Sequence, residues 1–140
     1  MKIAIKDIPL CGLEIDGILE KEDFTFDGED IQCLAPVCVS AYLECIGNVV
    51  SAKASVKANF SVLCGRCLRS FEKEIVKDLV FHYDLEEHPR YIELGEDVRQ
   101  EILLDFPSKI LCADDCKGIC SSCGMDLNSE KCSCNRRNSI

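Results

Sequence analysis

The sequence predicts an α+β protein: mainly antiparallel β-sheet or a partly open barrel, with one helix and a C-terminal cysteine-rich zinc-binding segment. Three observations carry that expectation. Apolar and polar residues alternate at period two from Val50 to Cys64, and the segment before it alternates in the same way. Residues 96–106 carry a helical stripe of Val98, Ile102, Leu103 and Phe106. Beyond Pro107, cysteines crowd a stretch with too few apolar residues to fold without a crosslink or a metal.

Taken from the N-terminus, Lys2–Ile8, Leu13–Leu19 and Phe24–Phe26 read as short strands, with Asp16-Gly17 and Asp27-Gly28 marking turns. Val37, Val39, Ala41, Leu43 and Cys45 then share one face of a strand. Gly47-Asn48 suits a two-residue hairpin turn, which pairs Ile46 with Val49. In that register Val39 faces Val56, Ala41 faces Ala54 and Leu43 faces Ala52, so apolar meets apolar throughout. Cys45, on the apolar face, is expected to be a small buried hydrophobe. A third strand spans about Phe71 to Tyr83, with Ile75, Leu79, Phe81 and Tyr83 on one face. Cys64-Gly65-Arg66-Cys67 therefore sits at a hairpin tip. Residues 84–91 form a polar loop. Glu96, Asp97 and Glu101 favour the first half of the following helix, and Pro107 stops it. This gives a β-rich unit over residues 1–106 and a knuckle tail over 107–140 packed on the 64–67 tip.

At 47% hydrophobic the chain can build a core, but with no Trp and 6% aromatics that core is aliphatic and modest. No apolar run approaches the roughly 20 residues that span a bilayer, so no membrane partner is expected. The start, Met1-Lys2-Ile3-Ala4-Ile5-Lys6-Asp7, lacks the apolar core of a signal peptide. A cytoplasmic location follows as the expectation, and there clustered cysteines hold metal rather than disulfides.

The net charge of −9 argues against a simple nucleic-acid binder. Its distribution is uneven. Residues 1–46 carry three Lys against ten acids, whereas residues 47–80 carry six Lys/Arg against three. Lys53, Lys57, Arg66 and Arg69, with Arg136 and Arg137 in the tail, are the candidate contacts to RNA or a partner. The acidic N-terminal part suits a basic protein.

Eight cysteines have metal-site spacing: Cys64-x₂-Cys67, Cys112-x₃-Cys116, Cys120-x₂-Cys123 and Cys132-x-Cys134. Zn²⁺ takes four thiolates tetrahedrally, so two ions are expected. Loop closure favours one local site from Cys120, Cys123, Cys132 and Cys134, leaving Cys64 and Cys67 to Cys112 and Cys116. The competing division crosses Cys64 and Cys67 with Cys120 and Cys123. Neither division leaves an open metal position for chemistry. His82 and His88 lack ligand spacing and read as solvent-facing. No nucleophile–base motif and no phosphate loop is present, so neither an enzyme nor a small-molecule substrate is expected.

The run Cys64-x-Arg66-Cys67-Leu68-x₂-Phe71, then Leu103-Leu104-x-Phe106-Pro107, then Cys112-x₃-Cys116-Lys117-Gly118-Ile119-Cys120-x₂-Cys123-Gly124-x-Asp126-Leu127-Asn128 and Cys132-x-Cys134 resembles the YceD family, the large ribosomal RNA subunit accumulation proteins. The likeness covers roughly residues 60–134. Ser121 stands where the family usually has proline. Some relatives keep the mid-chain pair but lack the last four cysteines, in keeping with the local division. The resemblance implies a cytoplasmic, non-catalytic ribosome-assembly factor acting on the large-subunit precursor, through ribosomal RNA, a basic ribosomal protein, or both. The other reading of the thiols is a zinc-linked redox switch or holdase chaperone, in which oxidation releases the metal and unfolds the tail.

Overall fold

A computed structural model describes residues 1–28, 30–87, 90–107 and 109–134 of the 140. Among these residues seven strands and one α-helix follow in chain order: β1 Lys2–Ala4, β2 Leu13–Leu19, β3 Ile31–Cys33, β4 Val37–Ile46, β5 Val49–Leu63, β6 Ser70–Asp84, β7 Tyr91–Glu93 and α1 Leu94–Leu104. The main sheet is antiparallel and open, so the barrel alternative falls away.

β5 is its spine. Residues β4 and β5 pair from Ile46↔Val49 to Cys38↔Lys57, the predicted register. β6 covers the other side of β5 along its whole length, from Val49↔Asp84 to Leu63↔Ser70 without a bulge. β3 meets β5 at residues 60–62, just past the end of β4, so β3 and β4 share one flank of the spine. Pro36 lies in the break between them, where a strand residue would need an N–H to donate. β2 pairs outside β4, and β3 and β6 each pair with β5 alone, so β2 and β3 edge one side of the sheet and β6 edges the other.

Alternation decides the faces. Val50, Ala52, Ala54, Val56, Ala58, Phe60 and Val62 of β5 are buried, with Val37, Val39 and Leu43 beside them. Leu94, Val98 and Ile102 of α1 join this core, as do Ile3 of β1 and Ile92 of β7, which pair in a small two-stranded sheet. Polar contacts tie α1 and the residue after it to β6. The Tyr83 hydroxyl donates to Asp97 Oδ2 at 2.6 Å, and Lys77 Nζ lies 3.1 Å from Asp105 Oδ1. Burial and the Asp97 carboxylate both hold the Tyr83 phenol well above its ordinary pKa. Phe60 is fully buried and meets Phe24, Phe26 and Phe106 edge to face.

Several expectations need correction. Phe24–Phe26 is not a strand; both rings turn onto Phe60, and that packing replaces strand pairing. Lys2–Ile8 is a strand only to Ala4, then a 3₁₀ turn over Ile5–Asp7. Asp16-Gly17 lies inside β2 rather than at a turn, with Met1 packed close against Gly17. The expected loop over 84–91 is shorter at both ends: Asp84 closes β6, and Tyr91 opens a strand over 91–93 that pairs with β1. α1 starts two residues earlier than predicted, and Leu94 is fully buried at its first position. Cys45 is exposed; β2 stops pairing at Leu43, and among the described residues β5 alone pairs with β4 beyond that point. His82 is exposed on β6, while His88 lies outside the described residues.

Candidate metal centres

The first four-cysteine group forms where the β5–β6 connection meets the segment after α1. Cys64 follows β5 and Cys67 precedes β6. The Gly65 N–H donates to the Ile110 carbonyl at 2.8 Å, and Arg66 Nη1 donates to the Cys116 carbonyl at 3.0 Å. These bonds lay residues 110–116 across the hairpin tip. Cys64, Cys67, Cys112 and Cys116 then bring their sulfurs within 4.8 Å of one another. Cys64 Sγ is 3.7 Å from Cys116 Sγ, and Cys67 Sγ is 3.7 Å from Cys112 Sγ. A tetrahedral ion with Zn–S bonds near 2.3 Å requires an edge of about 3.8 Å.

The second group is local. Cys120, Cys123, Cys132 and Cys134 also lie within 4.8 Å of one another. Cys132 Sγ is 3.3 Å from Cys120 Sγ and 3.4 Å from Cys123 Sγ. The sulfurs thus divide as loop closure favours, and the crossed division is absent. Exposure separates the groups. Cys64, Cys67 and Cys116 are buried with Cys112 half-buried, whereas Cys123 is exposed and its three partners are half-buried.

The two C-x₂-C turns are conformational copies, which their sequences conceal. In the first, the Leu68 N–H donates to the Cys64 carbonyl, the Cys64 N–H to the Arg69 carbonyl and the Arg66 N–H to Cys64 Sγ. In the second, the Gly124 N–H donates to the Cys120 carbonyl, the Cys120 N–H to the Met125 carbonyl and the Ser122 N–H to Cys120 Sγ. Each turn ends on a left-handed residue, Leu68 at φ 60° and Gly124 at φ 74°. Gly124 announces that backbone in the sequence; Leu68 hides it.

Two residues outside the ligand sets join the groups. Asn128, in the loop of the second group, donates from Nδ2 to Cys116 Sγ of the first at 3.3 Å. Its Oδ1 accepts the Lys117 N–H at 2.9 Å. Asp126 accepts from Asn128 and pairs with Arg69 of the hairpin tip at 3.3 Å. Sequence spacing gives no sign of this link, because neither side chain is a ligand.

The thiols within each group are driven apart in acidity. Backbone N–H bonds, led by that of Cys67, hold Cys64 down to about 6. Burial and the neighbouring sulfurs push Cys112 up to about 12. The Asn128 amide lowers Cys116. In the second group the Cys123 and Ser122 N–H groups hold Cys120 down to about 6, while Cys132 and Cys123 push Cys134 up to about 12. Four sulfurs this close repel as anions, and a divalent cation is what allows all of them to ionise. Such donor sets suit Zn²⁺ and iron–sulfur clusters.

The described basic residues singled out in the sequence have different settings. Lys57 pairs with Glu74 at 3.0 Å on the exposed face of the sheet. Arg66 and Arg69 hold the tail through Cys116 and Asp126. Lys53 is exposed between Tyr42 and Val80. Arg136 and Arg137 lie outside the described residues. Around the two lysines the outer face is acidic, with Glu14 and Asp16 on β2, Glu44 on β4, and Glu72, Glu74, Asp78 and Asp84 on β6.

Comparison with known proteins places these features. The family model described as "Large ribosomal RNA subunit accumulation protein YceD" matches residues 52–139, from the middle of β5 through both cysteine groups. An Arabidopsis thaliana protein named "Large ribosomal RNA subunit accumulation protein YCED homolog 1, chloroplastic" is 36% identical over 45 residues. That match covers 32% of this chain and 14% of the relative. No solved structure shows a significant match.

Proposed function

The chain belongs to the YceD family, and from that premise we propose that it is a non-catalytic assembly factor supporting accumulation of large-subunit ribosomal RNA. Its two cysteine groups each hold one structural Zn²⁺. The observation that carries the reading is the closure of both sites. Four sulfurs surround each one, which leaves no position for a water or a substrate. The metals would fix a shape, and the shape would act by binding.

The partner best matched to the surface is a basic ribosomal protein on the large-subunit precursor. Seven carboxylates against two lysines on the open sheet face support a basic protein over an RNA backbone. RNA contact through Lys53 and the tail arginines would be secondary. Zinc held by four thiolates would need a reducing compartment, and the cytoplasm is the one we propose.

Gradient fractionation of cell extract tests the reading. The protein should travel with large-subunit precursor particles at low salt and be absent from small-subunit fractions. Sedimentation only as free protein, at every salt concentration, would overturn it.

One observation favours the redox reading as a second role: Cys123 is exposed in the C-terminal group. Mild peroxide should then release one zinc per chain and unfold the tail. Zinc retention at doses that spare ordinary zinc ribbons would remove that role.

A further inference from the structure

β6 is an unusual sheet edge. It runs fifteen residues, all paired to β5 in one register, and among the described residues nothing pairs with its other side. No bulge and no proline interrupts it. Over residues 70–82 a row of backbone N–H and C=O groups on that side therefore has no strand partner among the described residues, the arrangement that templates a further strand. On the opposite side, β2 is seven residues long and contains Gly17.

The side chains along β6 specify what would add. On the outer face stand Glu72, Glu74, Asp78 and Asp84, with Val76 and Val80 between them at 70% and 57% exposed. A second copy of this chain is a poor occupant, because an antiparallel self-pairing centred on Asp78 opposes carboxylate to carboxylate. Lys73 and Lys77 face the core side. Lys77 is neutralised by Glu101 of α1 and by Asp105 just past it. A strand carrying Lys or Arg at alternate positions would lay those residues over the acidic face. Its intervening apolar residues would fall beside Ile75 and Leu79. A slip of one residue would set its cations against Lys73 and Lys77, so the charge pattern also fixes register.

We propose that the free edge of β6 takes up an extended, alternately basic segment of a protein partner as an added strand. This deepens the assembly-factor reading, on which it rests for the biological identity of that partner; the edge itself does not depend on it.

The test uses the zinc-loaded full chain and a nine-residue peptide of alternating Lys and Val. Binding is followed by fluorescence anisotropy, and backbone protection by hydrogen exchange. The peptide should bind and protect amides of residues 70–84. The same peptide N-methylated at alternate amides, with its charge intact, should not bind. The E72K/E74K variant, which changes two exposed side chains, should bind the Lys–Val peptide about tenfold more weakly. Equal binding of both peptides would reduce the effect to charge attraction and overturn the proposal, as would absence of binding or protection located on β2. In cells, E72K/E74K should impair accumulation of large-subunit RNA. If depletion impairs accumulation and the variant does not, the edge proposal fails while the assembly role stands.

Discussion

Leu68 holds a backbone conformation that costs a side-chain-bearing residue about 1 kcal/mol, yet it ends the knuckle in the position that Gly124 occupies in the second turn. Substituting it with glycine should remove that cost. Urea unfolding of zinc-loaded Leu68→Gly should show stability unchanged or raised by up to about 1 kcal/mol, whereas Gly124→Ala should lose about 1 kcal/mol. Asn128 acts on the sulfur of Cys116 without being a ligand. Partners of this kind commonly account for about 10–100-fold in metal affinity. Asn128→Ala should therefore weaken zinc at the first group by about tenfold in chelator competition, although Asn128 lies in the loop of the second. Equal affinity in the variant would show that the amide merely fills space. The eight thiols and their division were legible in the sequence, because short loops limit where a sulfur can go. The Asn128–Cys116 bond was not, since it depends on how two knuckles dock.

Among the elements, the β4–β5 hairpin was readable because turn chemistry and both alternations demand one register. β3 and β7 were not. Each has three residues, too few to show a period, and each is a strand only because a neighbour offers an edge. The aromatic cluster was hidden for a related reason: Phe24 and Phe26 share the spacing of a strand face but reach Phe60 from an irregular segment. Phe60 joins that segment, the centre of the sheet and the residue just past α1. Phe60→Ala should cost about 3–5 kcal/mol by urea denaturation, as expected where a fully buried ring leaves a cavity its neighbours cannot fill. A loss below about 1 kcal/mol would mean that the cluster contributes little to the fold.

At the scale of the whole molecule, a sheet with its own core carries a tail whose cysteines complete two four-sulfur groups. Ile110 is the apolar residue of the 107–134 segment that joins the main core. Zinc removal by a chelator should therefore melt the tail and leave β2–β6 folded, with amide protection lost beyond residue 109 and kept along β5. The more exposed C-terminal group should lose its metal first. Loss of protection in β5 at the same chelator concentration would show instead that sheet and tail fold as one unit. The charge pattern points the same way as the two closed four-cysteine groups, toward the acidic, non-catalytic binding body proposed above. The central claim is that such binding sustains large-subunit ribosomal RNA, and the most direct measurement is the ratio of large- to small-subunit ribosomal RNA in cells depleted of this protein. A selective fall in the large-subunit species, restored by the wild-type chain, is the predicted result. An unchanged ratio under complete depletion would contradict the account.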